Sequence, residues 1–270
     1  MGKGRRRAAA GAALACAAWI AFCGFQWGWG PFAALHDLKT AGLAGNASAY
    51  SLEQVEEDEE SPLQGKRIVF LGSSVTYGAA AGGTSFVDFL AARDGVVAIK
   101  EAVSGTTLAD DASDSYLSRL RRLDSGLKPD LVVCQLSTND ASQGKELGEV
   151  SGSYEIGDFD THTVAGAIEY VIAYVRDVWG CPVVFYTSPR YGSERYQQMV
   201  DSLLRVQDKW GIQLIDMWDD ASFNDISDEQ RSLYMADDIH PTKAGYLEWW
   251  LPYFEEGLEE VLGEQGMGDA

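Results

Sequence analysis

The sequence predicts an α/β protein, a three-layer α/β/α sandwich built on a parallel sheet of about five strands. Short apolar runs, typical of strands buried on both faces, alternate with longer segments whose apolar residues recur at helical spacing. This alternation begins near residue 66, and parallel strands joined by helices require right-handed crossovers that place the helices outside the sheet. The length of 270 residues, 46% of them hydrophobic, suits one such domain with an appendage.

Five strands and five principal helices are predicted after residue 66. Their apolar cores fix the approximate limits of each element. The strands are expected over residues 68–71, 96–103, 130–136, 183–187 and 212–217. The helices are expected over residues 84–92, 113–123, 164–179, 196–210 and 247–262.

The first 65 residues differ in composition from the rest. Four basic residues precede a stretch over residues 8–29 that contains no charged side chain and is long enough to span a bilayer as a helix. We therefore expect residues 1–30 to form a single-pass anchor in a bacterial cell membrane with the folded domain outside; the alternative is a cleaved signal segment and a secreted protein. Residues 31–65, with an acidic run at 56–60, are predicted to be a tether to a domain over residues 66–265.

Charge and cysteine content exclude several classes of function. The net charge is −20, and because the first thirty residues hold four bases and no acid, the other 240 carry 17 bases against 41 acids. This excess of negative charge repels phosphate backbones, so no nucleic-acid partner is expected. No metal-ligand spacing appears, and neither a metal nor a cofactor is predicted. Cys134 and Cys181 are interpreted as two buried free thiols or, alternatively, as a disulfide.

The first strand runs directly into Gly72-Ser73-Ser74. A strand, a Gly-x-Ser turn and then a helix is the geometry of a nucleophile elbow, which exposes the serine Oγ while backbone N–H groups face a developing oxyanion. By this spacing the nucleophile is Ser74. The same three residues would also form an ordinary turn, so the assignment depends on residues farther along the chain.

A base for such a serine is found among three histidines. His36 lies in the predicted tether, His162 near a helix start, and His240 in the loop before the last helix. Asp237 precedes His240 by three residues and is close enough to hold the imidazole tautomer from the same loop. Asp237 could instead cap a turn while His240 packs, but the strand-end Gly-x-Ser turn favours a catalytic Ser74, His240 and Asp237.

These segments together resemble the SGNH or GDSL hydrolases. Four of the family's sequence blocks occur here in the family's order: Gly72-Ser73-Ser74 with Gly78, Gly105 in V-S-G-T-T, Ser137-Thr138-Asn139-Asp140, and Asp237 to His240. The resemblance covers residues 66 to about 262. It implies a flavodoxin-like strand order 2-1-3-4-5 and an oxyanion hole formed by the N–H groups of Ser74 and Gly105 and the side-chain amide of Asn139.

Two positions depart from the family pattern. Ser73 stands where the family has aspartate, and Ser137 stands where it has glycine. The first change removes a carboxylate beside the nucleophile but no member of the triad. The second adds a side chain that would narrow the pocket or tilt Asn139.

The resemblance implies a serine esterase that works through an acyl-enzyme and needs no cofactor. Because the domain is expected outside the membrane, and the family often acts on O-acetylated sugars, the expected substrate is a small ester or a glycan ester. Two alternatives remain: an O-acyltransferase that uses the same triad, and a non-catalytic glycan-binding module with Tyr154 and Tyr191 as candidate aromatic contacts.

Overall fold

The computed structural model describes residues 16, 17, 19, 20 and 39–268. Its five strands are β1 Arg67–Gly72, β2 Val97–Ala102, β3 Leu131–Gln135, β4 Val183–Tyr186 and β5 Gln213–Ile215. All neighbouring strands are parallel, and their order across the sheet is β2-β1-β3-β4-β5. The predicted fold class and strand order are therefore confirmed.

Nine α-helices lie wholly within residues 66–268, and the predicted principal helices are among them. The helices are α1 Ser74–Tyr77, α2 Phe86–Arg93, α3 Tyr116–Leu120, α4 Thr138–Ser142, α5 Val164–Val178, α6 Glu194–Trp210, α7 Ala221–Asn224, α8 Asp228–Tyr234 and α9 Leu251–Gly268. A π-helical segment, Gly245–Trp250, leads directly into α9. Helices α4, α7 and α8 were not predicted, because their four to seven residues hold too few apolar side chains to show a helical period.

The sheet separates two hydrophobic cores. Alternate residues of β1 point to opposite faces: Ile68 and Phe70 belong to the core beneath α2 and α9, whereas Val69 and Leu71 belong to the core beneath α3, α5 and α6. All four side chains are fully buried. The unbroken apolar run of β1 is thus explained by helices on both faces, as expected for a parallel sheet.

The core beneath α2 and α9 is largely aromatic. The ring of Phe86 stacks on Phe254 at a centroid distance of 3.9 Å and meets Phe70 and Tyr186 edge-on at 5.8 and 5.4 Å. Aromatic pairs of this kind add about 0.5–1.5 kcal/mol each beyond the area they bury. They fix α9 against α2, and thereby fix the loop that enters α9.

Residues 39–65, which the sequence assigned to the tether, pack against the domain. Three short 3₁₀ turns, Ala44–Asn46, Ser48–Tyr50 and Leu52–Gln54, run along the α2/α9 side, where the core contacts Tyr50 and Leu52. Leu63 is fully buried in that core. The division of the chain at residues 30 and 65 stays a prediction, but this part of the tether has a fixed structure.

The predicted membrane anchor, residues 1–30, falls almost entirely outside the described residues. Within the described residues, no helix has the length and the apolar content needed to cross a membrane. The anchor and the external location of the domain therefore stay predictions.

Cys134 and Cys181 are both free thiols. Cys134 is buried in β3, and burial raises the pKa of its thiol well above the usual value. Burial also raises the pKa of the Cys181 thiol, to about 11. Of the two arrangements left open by the sequence, the structure shows the one without a disulfide.

Two carboxyl groups meet where the end of α2 lies against α9. Asp94 accepts a hydrogen bond from Ser61 Oγ at 2.9 Å, and Glu255 lies opposite it with Arg93 Nε 3.4 Å from its Oε1. Burial and then the negative charge of Asp94 raise the pKa of Glu255 to about 7; Glu259 contributes weakly in the same direction and Arg93 opposes it. The folded state therefore holds a proton that the unfolded chain would release near the ordinary pKa of 4.5.

We predict that the free energy of unfolding falls by on the order of 1 kcal/mol as the pH rises from 5.5 to 8.5, because this proton is lost through the folded-state pKa and solvent screens part of the effect. Glu255→Gln should flatten the dependence and make the protein more stable than wild type at pH 8.5. Urea unfolding at several pH values measures both effects, with Glu260→Gln on the same helix as the control. An unchanged pH slope in Glu255→Gln would contradict the assignment.

Candidate functional site

The turn that follows β1 depends on glycine at two positions. A Cβ on Gly72 would lie 1.7 Å from Thr76 Oγ1, so only glycine allows α1 to fold back over the end of the strand. Gly78 has φ 88°, and a Cβ there would lie 2.2 Å from Thr84 O. Together these glycines place Ser74 as the first residue of α1, at the carboxyl edge of the sheet.

A chain of hydrogen bonds runs from Ser74 through His240 to Asp237. Ser74 Oγ lies 2.8 Å from His240 Nε2, and His240 Nδ1 lies 2.9 and 3.0 Å from the two carboxylate oxygens of Asp237. Of the other histidines, His162 pairs with Asp111 at 2.8 Å on the surface, and His36 lies outside the described residues. The structure thus brings together the three side chains that the sequence selected.

The carboxylate of Asp237 is fixed in position and in charge. Its Oδ1 accepts hydrogen bonds from the backbone N–H groups of Ile239 and His240, both at 2.8 Å. Partial burial by itself would raise the pKa of Asp237, but the hydrogen bonds and charge of His240 and the two backbone N–H groups outweigh it and lower the pKa to about 2. An ionised Asp237 holds the proton of His240 on Nδ1 and leaves the Nε2 lone pair facing Ser74 Oγ.

Ser73 faces the scaffold, in contrast to Ser74. Its backbone N–H and its hydroxyl both donate to Gln135 Oε1, at 2.8 and 3.2 Å. The same oxygen accepts from Thr76 Oγ1 at 2.9 Å and from Tyr116 OH at 3.3 Å. Gln135 therefore anchors the turn that presents Ser74. Sequence reasoning missed it, although an amide within an otherwise apolar strand was a visible signal.

The expected oxyanion donors surround the same edge of the sheet. Asn139, in α4, donates one hydrogen of Nδ2 to Thr106 O at 2.9 Å and keeps the second for another acceptor. Gly105 has φ 83°, a left-handed conformation that glycine adopts without strain. Within the described chain, neither the N–H of Ser74 nor that of Gly105 has a protein acceptor, so both can serve an external oxygen.

Arg119, which sequence reasoning also missed, lies beneath the two strand ends that carry Ser74 and Gly105. Its side chain is 3% exposed and donates to Gly72 O at 2.7 Å, to Thr106 Oγ1 at 3.2 Å and to Glu101 O. One guanidinium thus ties the end of β1 to the end of β2 and to the loop that follows β2. Its planar array of donors suits three acceptors in fixed directions.

Ser137, where the family has glycine, caps helix α4. Its Oγ accepts from the N–H of Asp140 at 3.3 Å, and the fully buried Asp140 carboxylate accepts from Leu108 N at 2.7 Å and Ala109 N at 2.9 Å. Burial raises the pKa of Asp140, and the hydrogen bonds from Ser137 and from the N–H groups of Ala109 and Leu108 oppose this rise. The side chain at Ser137 thereby stabilises the helix start that carries Asn139, and the loop after β2 is tied to the same helix.

A cleft of about 370 Å³ opens beside Gly105. Polar groups form most of its wall, and Asp111 and Lys145 are joined across it by an ion pair of 2.7 Å. The lining residues are Ser104, Gly105, Thr106, Thr107, Asp111, Ala112, Asp114, Gln143 and Lys145. Such a surface offers many hydrogen bonds to a hydroxyl-rich ligand and little area to a long alkyl chain.

Solved structures share this fold. A protein from Lactobacillus plantarum is 21% identical, with a TM-score of 0.60 over 74% of this chain and 98% of that one. A family two carbohydrate esterase from Clostridium thermocellum, solved with cellohexaose, is 16% identical, with a TM-score of 0.52 over 74% of this chain and 65% of that one. No curated protein matches the sequence.

A match to a family model shows which protein family the chain belongs to. The model of the GDSL-like Lipase/Acylhydrolase family matches residues 70–247. This range contains the elbow, Gly105, Asn139 and the loop over residues 237–240, so all the residues that the sequence selected lie within it. Because the match covers well over half of the 270 residues, the chain belongs to the GDSL-like lipase/acylhydrolase family, as its resemblance to the SGNH or GDSL hydrolases predicted.

Proposed function

We propose that this protein is a serine esterase that removes short acyl groups, in particular O-acetyl groups, from a carbohydrate or a cell-surface glycan. The observation that carries the proposal is the hydrogen-bonded series Ser74, His240 and Asp237 at the carboxyl edge of the sheet, in a chain of an acylhydrolase family. A serine hydroxyl 2.8 Å from an imidazole whose second nitrogen meets a carboxylate is the arrangement that activates a serine for acyl transfer.

The first half of the reaction forms an acyl-enzyme. His240 Nε2 takes the hydroxyl proton of Ser74 as Oγ attacks the ester carbonyl carbon, and the carbonyl π electrons move onto the oxygen. The resulting oxyanion accepts hydrogen bonds from Ser74 N–H, Gly105 N–H and the free hydrogen of Asn139 Nδ2. The intermediate then collapses, the bond to the alcohol oxygen breaks, and His240 returns the proton to that oxygen as the alcohol leaves.

The second half repeats these steps with water as the nucleophile. His240 removes a proton from water, the hydroxide oxygen attacks the acyl carbon, and the proton returns to Ser74 Oγ as the carboxylic acid departs. Asp237 remains ionised throughout the reaction at neutral pH, since its pKa of about 2 lies far below that pH. Removal of a single oxyanion donor in such sites typically costs about 10²–10³ in kcat, so Asn139 is expected to be as important as an acid or base.

The polar cleft beside Gly105 supports a carbohydrate substrate over a lipid. Hydroxyl, carboxylate, amide and ammonium groups form its wall, and these are the partners that sugar hydroxyls require. The fold shared with a carbohydrate esterase agrees with this choice.

An O-acyltransferase would use the same triad, with a sugar hydroxyl in place of water in the second half. A non-catalytic glycan-binding module would need no base beside a serine, so the close contact of Ser74 and His240 supports catalysis. For location, we propose that residues 1–30 anchor the enzyme in a bacterial membrane with the domain outside, or are cleaved to release it.

The nucleophile elbow turns Ser74 toward His240 and Ser73 toward Gln135, so substitution of these two adjacent serines should affect activity differently. Ser74→Ala should abolish esterase activity and covalent labelling by a fluorophosphonate probe, because it removes the hydroxyl that lies 2.8 Å from His240 Nε2. Ser73→Ala should keep the labelling and lose at most about tenfold in rate, since its hydroxyl only donates to Gln135. Mass spectrometry of the labelled peptide identifies the residue that carries the probe. A probe attached to Ser73 would contradict the assignment of Ser74 as the nucleophile.

The substrate class is tested with the purified domain and three kinds of ester: p-nitrophenyl acetate, p-nitrophenyl palmitate and acetylated xylo-oligosaccharides. We expect cleavage of both acetates, release of free acetate into water, and little activity on the palmitate. Ser74→Ala is the control for non-enzymatic hydrolysis. Activity on the palmitate alone would reject the glycan substrate, and transfer of acetyl to an added sugar without free acetate would reassign the enzyme as an acyltransferase.

A further inference from the structure

Tyr77 presents an exposed aromatic ring beside the nucleophile. It lies three residues after Ser74 in the single turn of α1, so the two side chains share a helix face, with Cβ atoms about 5–6 Å apart. Its ring lies against Gly83 and the side chain of Lys100. Tyr77 is 45% exposed, whereas Ser74, Val75 and Thr76 in the same turn are buried.

The ring of Tyr77 is held by its neighbours. A Cβ on Gly83 would lie 3.4 Å from the Tyr77 hydroxyl, which shows how closely the side chain covers that glycine. On the side of β2, Lys100 Nζ lies 5.6 Å from the ring centroid, and it is fixed by Asp88 at 2.6 Å and by Gly83 O at 2.9 Å. A ligand that stacks on Tyr77 would therefore lose little side-chain entropy on binding.

The two aromatic residues suggested by the sequence lie elsewhere. Tyr191 packs against Tyr196 and Trp218, with ring centroids 5.3 and 5.4 Å away. Tyr154 contacts Trp210 at 5.0 Å, just before the amino end of β5 and thus toward the edge of the sheet opposite Ser74. Tyr154 therefore lies away from Ser74, and the ring of Tyr191 is occupied by its aromatic neighbours.

We infer that Tyr77 is the platform on which the sugar ring carrying the ester stacks during catalysis. This inference rests on the proposed function. The C–H groups on one face of a pyranose pack well on an aromatic ring, and tyrosine combines that surface with a polar hydroxyl at its edge. Because Tyr77 follows Ser74 by one turn of α1, a sugar stacked on its ring would keep the acetylated hydroxyl within reach of Oγ.

The test compares kcat/KM for acetylated xylo-oligosaccharides and for p-nitrophenyl acetate. Tyr77→Ala should raise KM for the oligosaccharides at least tenfold and reduce their kcat/KM at least fivefold more than that of the small ester. Tyr77→Trp should restore most of the difference, because it restores a stacking surface. Tyr154→Ala, which removes another half-exposed tyrosine, should leave the ratio of the two kcat/KM values unchanged.

Two failures are distinguishable. A wild-type enzyme that cleaves no acetylated oligosaccharide would reject the proposed function, and the stacking role with it. A wild-type enzyme that cleaves them, with the same kcat/KM ratio in Tyr77→Ala, would reject the stacking role alone.

A separate observation concerns Asn46, which precedes the range matched by the family model. Its Nδ2 donates to Ala80 O at 2.7 Å and to Thr40 O at 2.8 Å, and its Oδ1 accepts from Lys243 N at 2.8 Å. The amide therefore uses both donor hydrogens and its acceptor in one arrangement. Because Lys243 N–H can only donate and Ala80 O can only accept, the orientation of the amide is fixed.

The bonds of Asn46 reach both halves of the candidate triad. Ala80 lies six residues after Ser74, in the turn Ala79–Ala81 that follows α1, and Lys243 lies three residues after His240. The preceding residue, Gly45, is buried so close to the same loop that a Cβ would lie 2.3 Å from Thr242 Oγ1. The segment thus fits tightly against the loop that carries the base.

The geometry points to Asn46 as a positioning residue that sets the separation of Ser74 and His240. It touches neither the substrate nor the reacting atoms. Displacements of about 1 Å in such sites cost up to about 100-fold in rate, and Tyr246 OH, which donates to Val75 O at 2.6 Å, provides a second link between the same elements. A loss of about tenfold is therefore expected rather than complete inactivation.

The test uses Asn46→Ala and Asn46→Asp in the full-length protein. Both should lower kcat for p-nitrophenyl acetate and the rate of fluorophosphonate labelling by the same factor, about tenfold, with KM nearly unchanged. Asn224→Ala is the matched control, because Asn224 bonds Met217 O, Asp220 O and Arg190 N in the same way in another loop. It should lower the melting temperature but not kcat at 25 °C. Asn46 variants that lose melting temperature only, like Asn224→Ala, would reject the positioning role.

Discussion

The site depends on one hydrogen bond between distant parts of the chain, that of 2.8 Å from Ser74 Oγ to His240 Nε2, whose residues are 166 positions apart. Ser74 is placed by the end of β1, and His240 by a loop that enters the last helix. The bond forms only if α2 and α9 are packed with ångström accuracy against the same face of the sheet. Phe86, stacked on Phe254, and Tyr246, bonded to Val75 O, provide that accuracy.

Beneath this bond, buried polar groups hold the strand ends. Gln135 orients the turn before Ser74, Arg119 ties the ends of β1 and β2, and Asp140 anchors the loop after Gly105. Such groups stabilise one arrangement of the loops over others, because each would cost about 1–3 kcal/mol if it lost its partners. Within the described residues, Gln135 Nε2 is a buried donor without a protein partner. Orienting the Gln135 amide so that Oε1 accepts from the turn therefore costs some stability. Ser73, which stands where the family has aspartate, belongs to this network because its hydroxyl donates to Gln135 Oε1.

The fold followed from patterns that need no long-range information. Apolar runs predicted the three central strands because burial on both faces requires continuous apolar sequence, and helical spacing of apolar residues predicted the principal helices. The edge strands β2 and β5 are half-buried and include polar residues. Helices α4, α7 and α8 escaped prediction because each holds too few apolar side chains to show a helical period. Residues 44–63 were predicted to be a tether because their composition is that of a linker. Only the structure shows that Leu63 lies in the core beneath α2 and α9 and that Tyr50 packs against that core.

For the site, the sequence by itself determined the residue types and their order: a serine after a strand-end glycine, an asparagine after the third strand, and an aspartate three residues before a histidine. These are local spacings, and local geometry follows from them. Tertiary structure alone decided that Gln135, Arg119 and Asn46 support the loops, and that Tyr77 remains exposed while Tyr191 is packed. The physical reason is that the direction of a side chain, its burial and its hydrogen bonds to residues tens of positions away depend on how the whole chain packs. No spacing within one segment encodes these properties.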